Sequence, residues 1–116
     1  MSKVANLDYG YFLGYRICKI ICERFNKFVI NLTHKYEFDI IVSAAHVCIT
    51  MARYIPRDND WIEYGRILSI NTKTLYLSSA YTSPWLYSLY TKDLMNTYID
   101  KMEKILQDID RNHHEQ

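Results

Sequence analysis

Apolar residues dominate one long stretch of the chain, residues 38–54 (FDIIVSAAHVCITMARY). The polar residues within it recur every three or four positions, at Asp39, Ser43, His46, Thr50 and Arg53. On a helix, this spacing places all of them on one narrow stripe and leaves the rest of the circumference apolar. A helix that is apolar on most sides lies inside a protein, so the pattern predicts a central helix with the other segments packed around it.

Amphipathic patterns lie on both sides of this stretch. Towards the N-terminus, apolar residues recur at spacings of three and four, at Tyr11, Tyr15, Cys18, Cys22, Phe25, Val29 and Leu32. Towards the C-terminus, the same spacings recur at Leu94, Met95, Tyr98, Met102, Ile105, Leu106 and Ile109. Each pattern predicts an amphipathic helix. Gly10 and Gly14 form a small-xxx-small pair on the first helix, a spacing that arises mostly by chance in proteins outside membranes.

The segment from Trp61 to Ser79 fits two different structures. Asp60 and Glu63 have the spacing of a capping box, and a helical stripe then runs through Trp61, Tyr64, Leu68, Leu75 and Ser79. The same segment fits a hairpin, in which residues 67–70 and 75–78 flank a turn at residues 71–74. We favour the helix, because an isolated two-stranded hairpin is only marginally stable. After it, Pro84 is suited to the first turn of the next helical segment.

Together these segments predict an all-α fold, an up-and-down antiparallel four-helix bundle. A chain of 116 residues is long enough for one hydrophobic core, so residues 1–116 are expected to form a single helical domain, with residues 112–116 as a disordered tail. The predicted core of the bundle contains Ile41, Ala45, Cys48, Ala52, Ile105 and Ile109. The alternative is an α+β fold with a hairpin at residues 67–79.

The start of the chain lacks the apolar core and cleavage site of a secretory signal. We therefore expect a cytoplasmic protein in which Cys18, Cys22 and Cys48 are reduced, buried thiols. The uncharged run at residues 40–52 is shorter than the ~20 residues that a membrane helix needs, so no membrane association is expected.

No pattern of catalytic or metal-ligating residues stands out. Cys18 and Cys22 share a helical face, but no C-x-x-C pair or second ligand pair accompanies them. His46 cannot be paired with a Ser or Cys nucleophile from the sequence. Gly-rich phosphate loops, H-E-x-x-H and nucleophile elbows are absent. We expect a protein that is not an enzyme and that uses no metal, cofactor or small-molecule substrate.

Tyrosine content and charge point instead to binding surfaces. The chain has eleven Tyr and a net charge of +1, and tyrosine is typical of half-buried interfaces. We expect a homo-oligomer whose subunit contacts include Trp61, Tyr76, Tyr81, Trp85 and Tyr87. Basic residues interleaved with tyrosines could form a broken RNA-binding face, at Arg16, Lys19, Arg24, Lys27, Arg53, Arg57 and Arg66. The simpler interpretation of these basic residues is a solvated surface.

Three short segments occur together, at residues 43–52 (SAAHVCITMA), at residues 63–70 (EYGRILSI) running on to Leu75, and at residues 89–94 (LYTKDL). Their order and spacing resemble, over about residues 40–110, the four-helix bundle protein family. That family includes proteins encoded in ribosomal RNA intervening sequences and the accessory variability determinants of diversity-generating retroelements. The resemblance implies an up-and-down bundle, a pentameric barrel, and partnership with a reverse transcriptase or structured RNA.

Two functions remain open after these steps. The first is a non-enzymatic helical binding module that acts as an oligomeric scaffold for structured RNA or a reverse transcriptase. We favour it because it also accounts for the spacing of the three matched segments. The second is a protein–protein antagonist or immunity-type helical protein that binds a protein partner, for which a near-neutral, tyrosine-rich surface is well suited.

Overall fold

The computed structural model of the chain describes residues 2–79, 81, 86–88 and 92–112, with side chains for residues 9–79, 81 and 92–112. Its helices and strands are, in chain order, α1 (Ser2–Phe28), β1 (Tyr36–Ser43), β2 (His46–Ile55), β3 (Asp60–Asn71), β4 (Tyr76–Ser78), β5 (Leu86–Ser88) and α2 (Lys92–Arg111). A 3-10 turn, Val29–Asn31, follows α1. The strands form one antiparallel sheet in the order β1-β2-β3-β4-β5. The predicted all-α four-helix bundle is therefore wrong, and the fold is α+β.

The two amphipathic helices are confirmed, because their pattern depends only on local spacing. Both pack on the same face of the sheet, where α1 contributes Cys18 and Phe25 to the core and α2 contributes Tyr98 and Met102. The rings of Phe25 and Tyr98 lie 6.2 Å apart, which places α2 beside the C-terminal half of α1. The helices and the 3-10 turn also contribute Ile17, Ile21, Cys22, Val29, Ile99 and Leu106. The strands and the β3–β4 turn contribute Tyr36, Phe38, Val47, Ile49, Met51, Ile67, Leu68, Ile70, Leu75 and Leu77.

The stretch predicted as a central helix is instead the hairpin of β1 and β2, with a turn at residues 44–45. Asp39, Ser43, His46 and Thr50 all lie on one face of this hairpin, because the register pairs Asp39 with Thr50 and Ser43 with His46. The tight turn makes their spacing along the chain four, three and four, which imitates a helical stripe. Because residues 38–54 have apolar side chains on both faces of the sheet, the alternation of apolar and polar residues that identifies a strand is hidden. The many β-branched residues in this stretch nevertheless favour a strand.

The core predicted for the bundle is only partly correct. Cys48 is fully buried, whereas Ile41 and Ala52 lie with it on the sheet face opposite the helices and are half-buried. Ala45 lies in the turn and is also half-buried. Ile105 and Ile109 pack at the margin of the true core. Cys18, Cys22 and Cys48 are free and buried, as expected.

Two bulges in β3 explain why its pattern resembled a helix. The register with β2 skips Ile67 between Leu68 and Arg66, and skips Tyr64 between Gly65 and Glu63. The bulge at Ile67 turns both Ile67 and Leu68 towards the core, and the bulge at Tyr64 turns Tyr64 towards it. The residues on the opposite face therefore recur every three positions, at Glu63, Arg66 and Ser69. The predicted third helix is therefore wrong.

The alternative that the sequence left open, a hairpin within residues 67–79, is what the structure contains. Ser69 pairs with Ser78 and Ile70 with Leu77. Between them, the Asn71 side chain accepts the backbone N–H groups of Lys73 and Thr74, which closes the turn. The hairpin is stable here because β3 also pairs along its length with β2, so it is not an isolated pair of strands.

Ala44 provides a test of the β1–β2 turn. Its φ of 45° lies in the left-handed region, which costs a residue with a Cβ roughly 1–2 kcal/mol. Ala44→Gly is expected to raise the free energy of unfolding by about 0.5–1 kcal/mol, measured by urea denaturation. The same change at Ala52, inside β2, should lower it by a similar amount. Equal effects at both positions would contradict the left-handed turn.

Within the described residues, neither helix combines the length and the apolar composition that crossing a membrane would require. Predictions made for Pro84, Trp85, residues 89–91 and residues 113–116 fall outside the part of the chain that the structure describes.

Candidate functional site

The sheet has two unlike faces. The helices cover one, and no described element covers the other, which we call the open face. By the strand register, the open face carries Glu37, Asp39, Ile41, Ser43, His46, Cys48, Thr50, Ala52, Tyr54, Trp61, Glu63, Arg66, Ser69, Asn71, Tyr76 and Ser78. Its middle consists of small side chains around the buried Cys48, whose thiol lies 3.2 Å from the Ser69 hydroxyl. Glu37, Asp39 and Glu63 supply three acidic groups, against the two basic groups of Arg66 and Lys35, so the formal charge of this face is −1.

Three side chains at one end of the open face form what we call the aromatic cluster: Lys35, Tyr54 and Trp61. Tyr54 and Trp61 are cross-strand partners with ring centroids 5.3 Å apart. The Lys35 ammonium lies 5.7 Å from the Tyr54 ring centroid and 5.6 Å from that of Trp61, within the range of a cation–π contact. The Tyr54 hydroxyl also donates a hydrogen bond to Asn59 in the β2–β3 turn. Both rings are therefore held in place while remaining partly exposed.

Lys35 reaches this face because its two neighbours are held on the other side. The backbone N–H of Tyr54 bonds the carbonyl of Lys35, so residue 35 already follows the alternation of β1. His34 and Tyr36 are buried on the helix side, and both bond Asp110 in the last turn of α2. Successive side chains of an extended chain point to opposite faces. Because His34 and Tyr36 are held on the helix side, the Lys35 side chain points to the open face.

Asp110 is the centre of this attachment. Its Oδ1 accepts hydrogen bonds from the His34 N–H (3.0 Å), His34 Nδ1 (2.8 Å) and the Tyr36 hydroxyl (3.0 Å), and its Oδ2 accepts the Thr33 N–H (2.7 Å). Burial alone would raise the pKa of Asp110, but these hydrogen bonds outweigh it and lower the pKa to about 2. For Tyr36, burial and the bond to Asp110 both raise the pKa. Asp110 is thus an ionised carboxylate that fixes the chain between α1 and β1.

Arg53 and Tyr64 extend the same buried group of polar residues. Arg53 is 1% exposed and lies opposite Tyr36 in the sheet. Its Nε donates a 2.9 Å hydrogen bond to the Tyr64 hydroxyl. Tyr64 faces inward because of the bulge beside Gly65, whose φ of 78° is readily adopted only by glycine. We call His34, Tyr36, Arg53, Tyr64 and Asp110 the buried polar cluster.

A histidine bonded to a buried aspartate resembles half of an acid–base apparatus. In the described part of the chain, however, no Ser, Thr or Cys side chain hydrogen-bonds His34, and no group of three potential metal ligands occurs. The bonds to Asp110 all fix backbone or ring positions. A cleft of about 380 Å³ adjoins the cluster, lined by Asn26, Val29, Ile30, Leu32, Thr33, His34, Lys35 and Tyr36. We interpret the buried polar cluster as a support for the aromatic cluster.

The residues predicted to bind nucleic acid do not form one surface. Arg16, Lys19, Arg24 and Lys27 are exposed on α1, on the helix side of the sheet. Arg66 is exposed on the open face, and Arg57 is exposed in the β2–β3 turn. Arg53 is buried, so the prediction that it contacts nucleic acid does not hold. The sheet lies between the four basic residues of α1 and Arg66, so a single RNA duplex or loop could not contact both on one subunit.

The structure brings only two of the predicted interface residues together on one surface. Trp61 and Tyr76 lie on the open face, and Tyr76 is 46% exposed. Tyr81 packs against the core margin. Trp85 lies outside the described residues, and Tyr87 is placed only by its backbone in β5. Sequence reasoning missed Lys35, Tyr54 and Asp110, because cross-strand and helix-to-loop contacts leave no mark in a local pattern.

Comparison with known proteins adds no relative: no family model, curated protein or solved structure matches the chain. The fold and the site therefore define its class by themselves: an α+β protein in which the described helices cover one face of an antiparallel sheet. The bundle implied by the resemblance to the four-helix bundle protein family is not the fold of this chain, so a pentameric helical barrel has no structural basis here.

Proposed function

We propose that this chain is a non-enzymatic binding module that recognises a protein partner through the open face, with the aromatic cluster as its anchor. The observation that carries the proposal is the packing of Tyr54 and Trp61 with Lys35 on the sheet face that no described helix covers. Tyr and Trp dominate the binding energy of many protein interfaces, above all where neighbouring contacts hold them in place. Here a rigid strand pair and the Asp110 attachment supply that support.

Charge favours a protein partner over RNA. Affinity for RNA comes largely from several basic groups acting together on phosphates. On the open face, Lys35 and Arg66 are accompanied by Glu37, Asp39 and Glu63, so the phosphate backbone would meet as much repulsion as attraction. The basic residues of α1 lie on the other side of the molecule. An RNA scaffold would have to use α1 alone, and its binding would weaken steeply with salt.

Photo-crosslinking in the cells that make the protein tests the proposal. A photoreactive amino acid at Glu63, beside the aromatic cluster, is expected to capture a protein, whereas one at Phe12, 62% exposed on α1, is not. Adding Trp61→Ala should reduce the capture at Glu63 by about tenfold or more, because an anchor residue contributes roughly 2 kcal/mol. Tyr9→Ala, which removes an exposed aromatic ring from α1, is the matched control and should leave capture unchanged.

Two results would decide against a protein-binding open face. Capture at Phe12 without capture at Glu63 would place the partner on α1. Adducts containing RNA, lost as salt is raised, would indicate the scaffold function instead. Capture at Glu63 that survives Trp61→Ala would leave the open face as the interface but remove the aromatic cluster as its anchor.

A further inference from the structure

Strand β1 lies at one edge of the sheet. In the described residues only β2 pairs with it, and their register runs without a bulge from Tyr36–Arg53 to Ser43–His46. The eight residues of β1 include no Pro and no glycine. Proteins usually protect an edge of this length with a bulge, a proline, charged side chains or a covering helix or loop. Of these, β1 has the charges of Glu37 and Asp39 and one contact from α1, at the Phe38 carbonyl. The opposite edge strand, β5, has only three residues, Leu86–Ser88.

The backbone groups that β1 leaves for a further strand belong to its even-numbered residues. The Tyr54 N–H bonds the Lys35 carbonyl, so residues 35 and 54 form a hydrogen-bonded pair. In an antiparallel ladder, such hydrogen-bonded pairs alternate with pairs whose backbone N–H and C=O groups point away from the partner strand. Residues 37, 39, 41 and 43 therefore bond β2, while Tyr36, Phe38, Ile40 and Val42 direct their N–H and C=O groups outward. The side chains of these four residues are all aromatic or aliphatic and lie on the helix-covered face of the sheet. The Phe38 carbonyl already accepts the thiol of Cys22 in α1 (3.0 Å), so its second lone pair is the one that a further strand would use.

Charge restricts the registers in which two copies of β1 could pair about a twofold axis. An axis at Glu37 or at Asp39 would place that residue opposite its own copy, and an axis at Phe38 would place Glu37 opposite Asp39. Like charges directly opposite destabilise a sheet. An axis at Ile40 instead places Asp39 opposite Ile41 and Glu37 opposite Ser43. It gives the longest pairing without like charges, residues 37–43.

The same register covers an apolar side chain that the single chain leaves exposed. Val42 is 51% exposed, although it lies on the helix-covered face of the sheet with Phe38 and Ile40. An axis at Ile40 places Val42 opposite Phe38 of the second copy on that face, and places the two Ile40 side chains against each other. Aromatic and β-branched cross-strand pairs of this kind stabilise a sheet.

We infer that the partner of this edge is a second copy of the chain, which pairs with β1 antiparallel about an axis at Ile40. The two five-stranded sheets then form one continuous sheet. Both open faces lie on the same side of it, and the two aromatic clusters are roughly 30 Å apart along the strand direction, from about 3.4 Å per residue. The inference goes beyond the proposed function, because it makes the open face bivalent.

Sedimentation measures the dimer, and two substitutions locate it. The wild-type chain is expected to have twice the mass of one chain at 100 µM or below. Val42→Lys should return it to the mass of one chain, since an ammonium would be desolvated against Phe38 of the second copy. Ile62→Lys is the matched control, because Ile62 is 39% exposed on the same face but far from the β1 edge, and its mass should remain doubled.

A disulfide tests the register independently of any loss of folding. Ile40→Cys should form a disulfide-linked dimer on mild oxidation, because paired Cα atoms about 5.5 Å apart suit the bond. Ile41→Cys should not, since its copy would lie about two residues away along the strand. The wild-type chain should form none, because its three thiols are buried.

Three outcomes would overturn the inference: a wild-type chain with the mass of one chain, a dimer that survives Val42→Lys, or a disulfide at Ile41→Cys in place of Ile40→Cys. None of them bears on capture at Glu63, so the failure of the dimer is distinguishable from the failure of the proposed function.

Discussion

Replacing Asp110 by Asn is expected to lower the free energy of unfolding by about 3 kcal/mol, because it removes a buried charge that several donors face. Three of the donors converge on Oδ1, and the Thr33 N–H meets Oδ2. An amide can present an oxygen to only one side, so its NH₂ group would oppose an N–H or O–H donor. Urea unfolding followed by circular dichroism measures the change.

Asp108 supplies the control in the same turn of α2. Its carboxylate is 61% exposed, and its partner among the described residues is Arg111, three residues further on. Exposed pairs of this kind contribute little, so Asp108→Asn should change the free energy of unfolding by less than about 0.5 kcal/mol. Equal losses from the two substitutions would mean that helix charge, rather than the bonds to residues 33–36, determines the effect.

The pH dependence of Asp110 has a definite sign. Its pKa is about 2 in the folded chain, against an ordinary value of 3.8, so the unfolded chain binds the proton more tightly. The carboxylate therefore stabilises the fold at pH values above about 4, and this contribution is lost as the pH falls towards 2. It amounts to about 2 kcal/mol at neutral pH. Asp110→Asn should lack this part of the acid-induced loss. An unchanged acid profile would contradict the assignment.

The second large effect is expected at Gly10, where α1 crosses the end of the sheet. A Cβ added there would lie 1.8 Å from the carbonyl oxygen of Thr72. That oxygen belongs to a constrained backbone, because both the N–H and the hydroxyl of Thr72 bond the carbonyl of Ala45. Helix and turn must therefore separate to admit a methyl group, so Gly10→Ala should lower the free energy of unfolding by about 3 kcal/mol.

Gly14, one turn further along α1, is the matched control. A Cβ there would lie 3.4 Å from a methyl carbon of Val47, a contact that small side-chain movements can accept. Alanine is also the better helix former by about 1 kcal/mol, so Gly14→Ala should remain within about 1 kcal/mol of wild type. Thermal unfolding of the two variants separates them. Similar losses at both positions would show that the close approach at Thr72 is not as described.

The glycine pair also shows how far spacing can be interpreted. The spacing of Gly10 and Gly14 is typical of a chance small-xxx-small pair, yet both glycines face the sheet and are buried. The four-residue spacing indicates that the two glycines share one face of the helix, but it does not indicate which part of the protein packs against that face. Only the position of the β3–β4 turn makes one glycine necessary and the other replaceable.

Local patterns predicted the parts of the chain whose structure depends on near neighbours. The helical stripes of α1 and α2 identified both helices, since residues three and four apart share a face whatever the rest of the chain does. The burial of the three thiols also followed from composition and position. The turn residues 71–74 also indicate the hairpin at residues 67–79, although the helical stripe favours a helix there.

Tertiary structure decided the rest, because the deciding contacts join residues distant in sequence. Whether residues 38–54 are a helix or two strands depends on β3 pairing with β2, which makes a hairpin stable that would be marginal alone. The bulges at Tyr64 and Ile67 change the period of β3 only because the core accepts both residues. Asp110 meets His34 across 76 positions of the chain, and that contact aims Lys35 at Tyr54 and Trp61. The sequence by itself thus determined the helices, whereas the sheet and its open face depend on pairings that no local window contains.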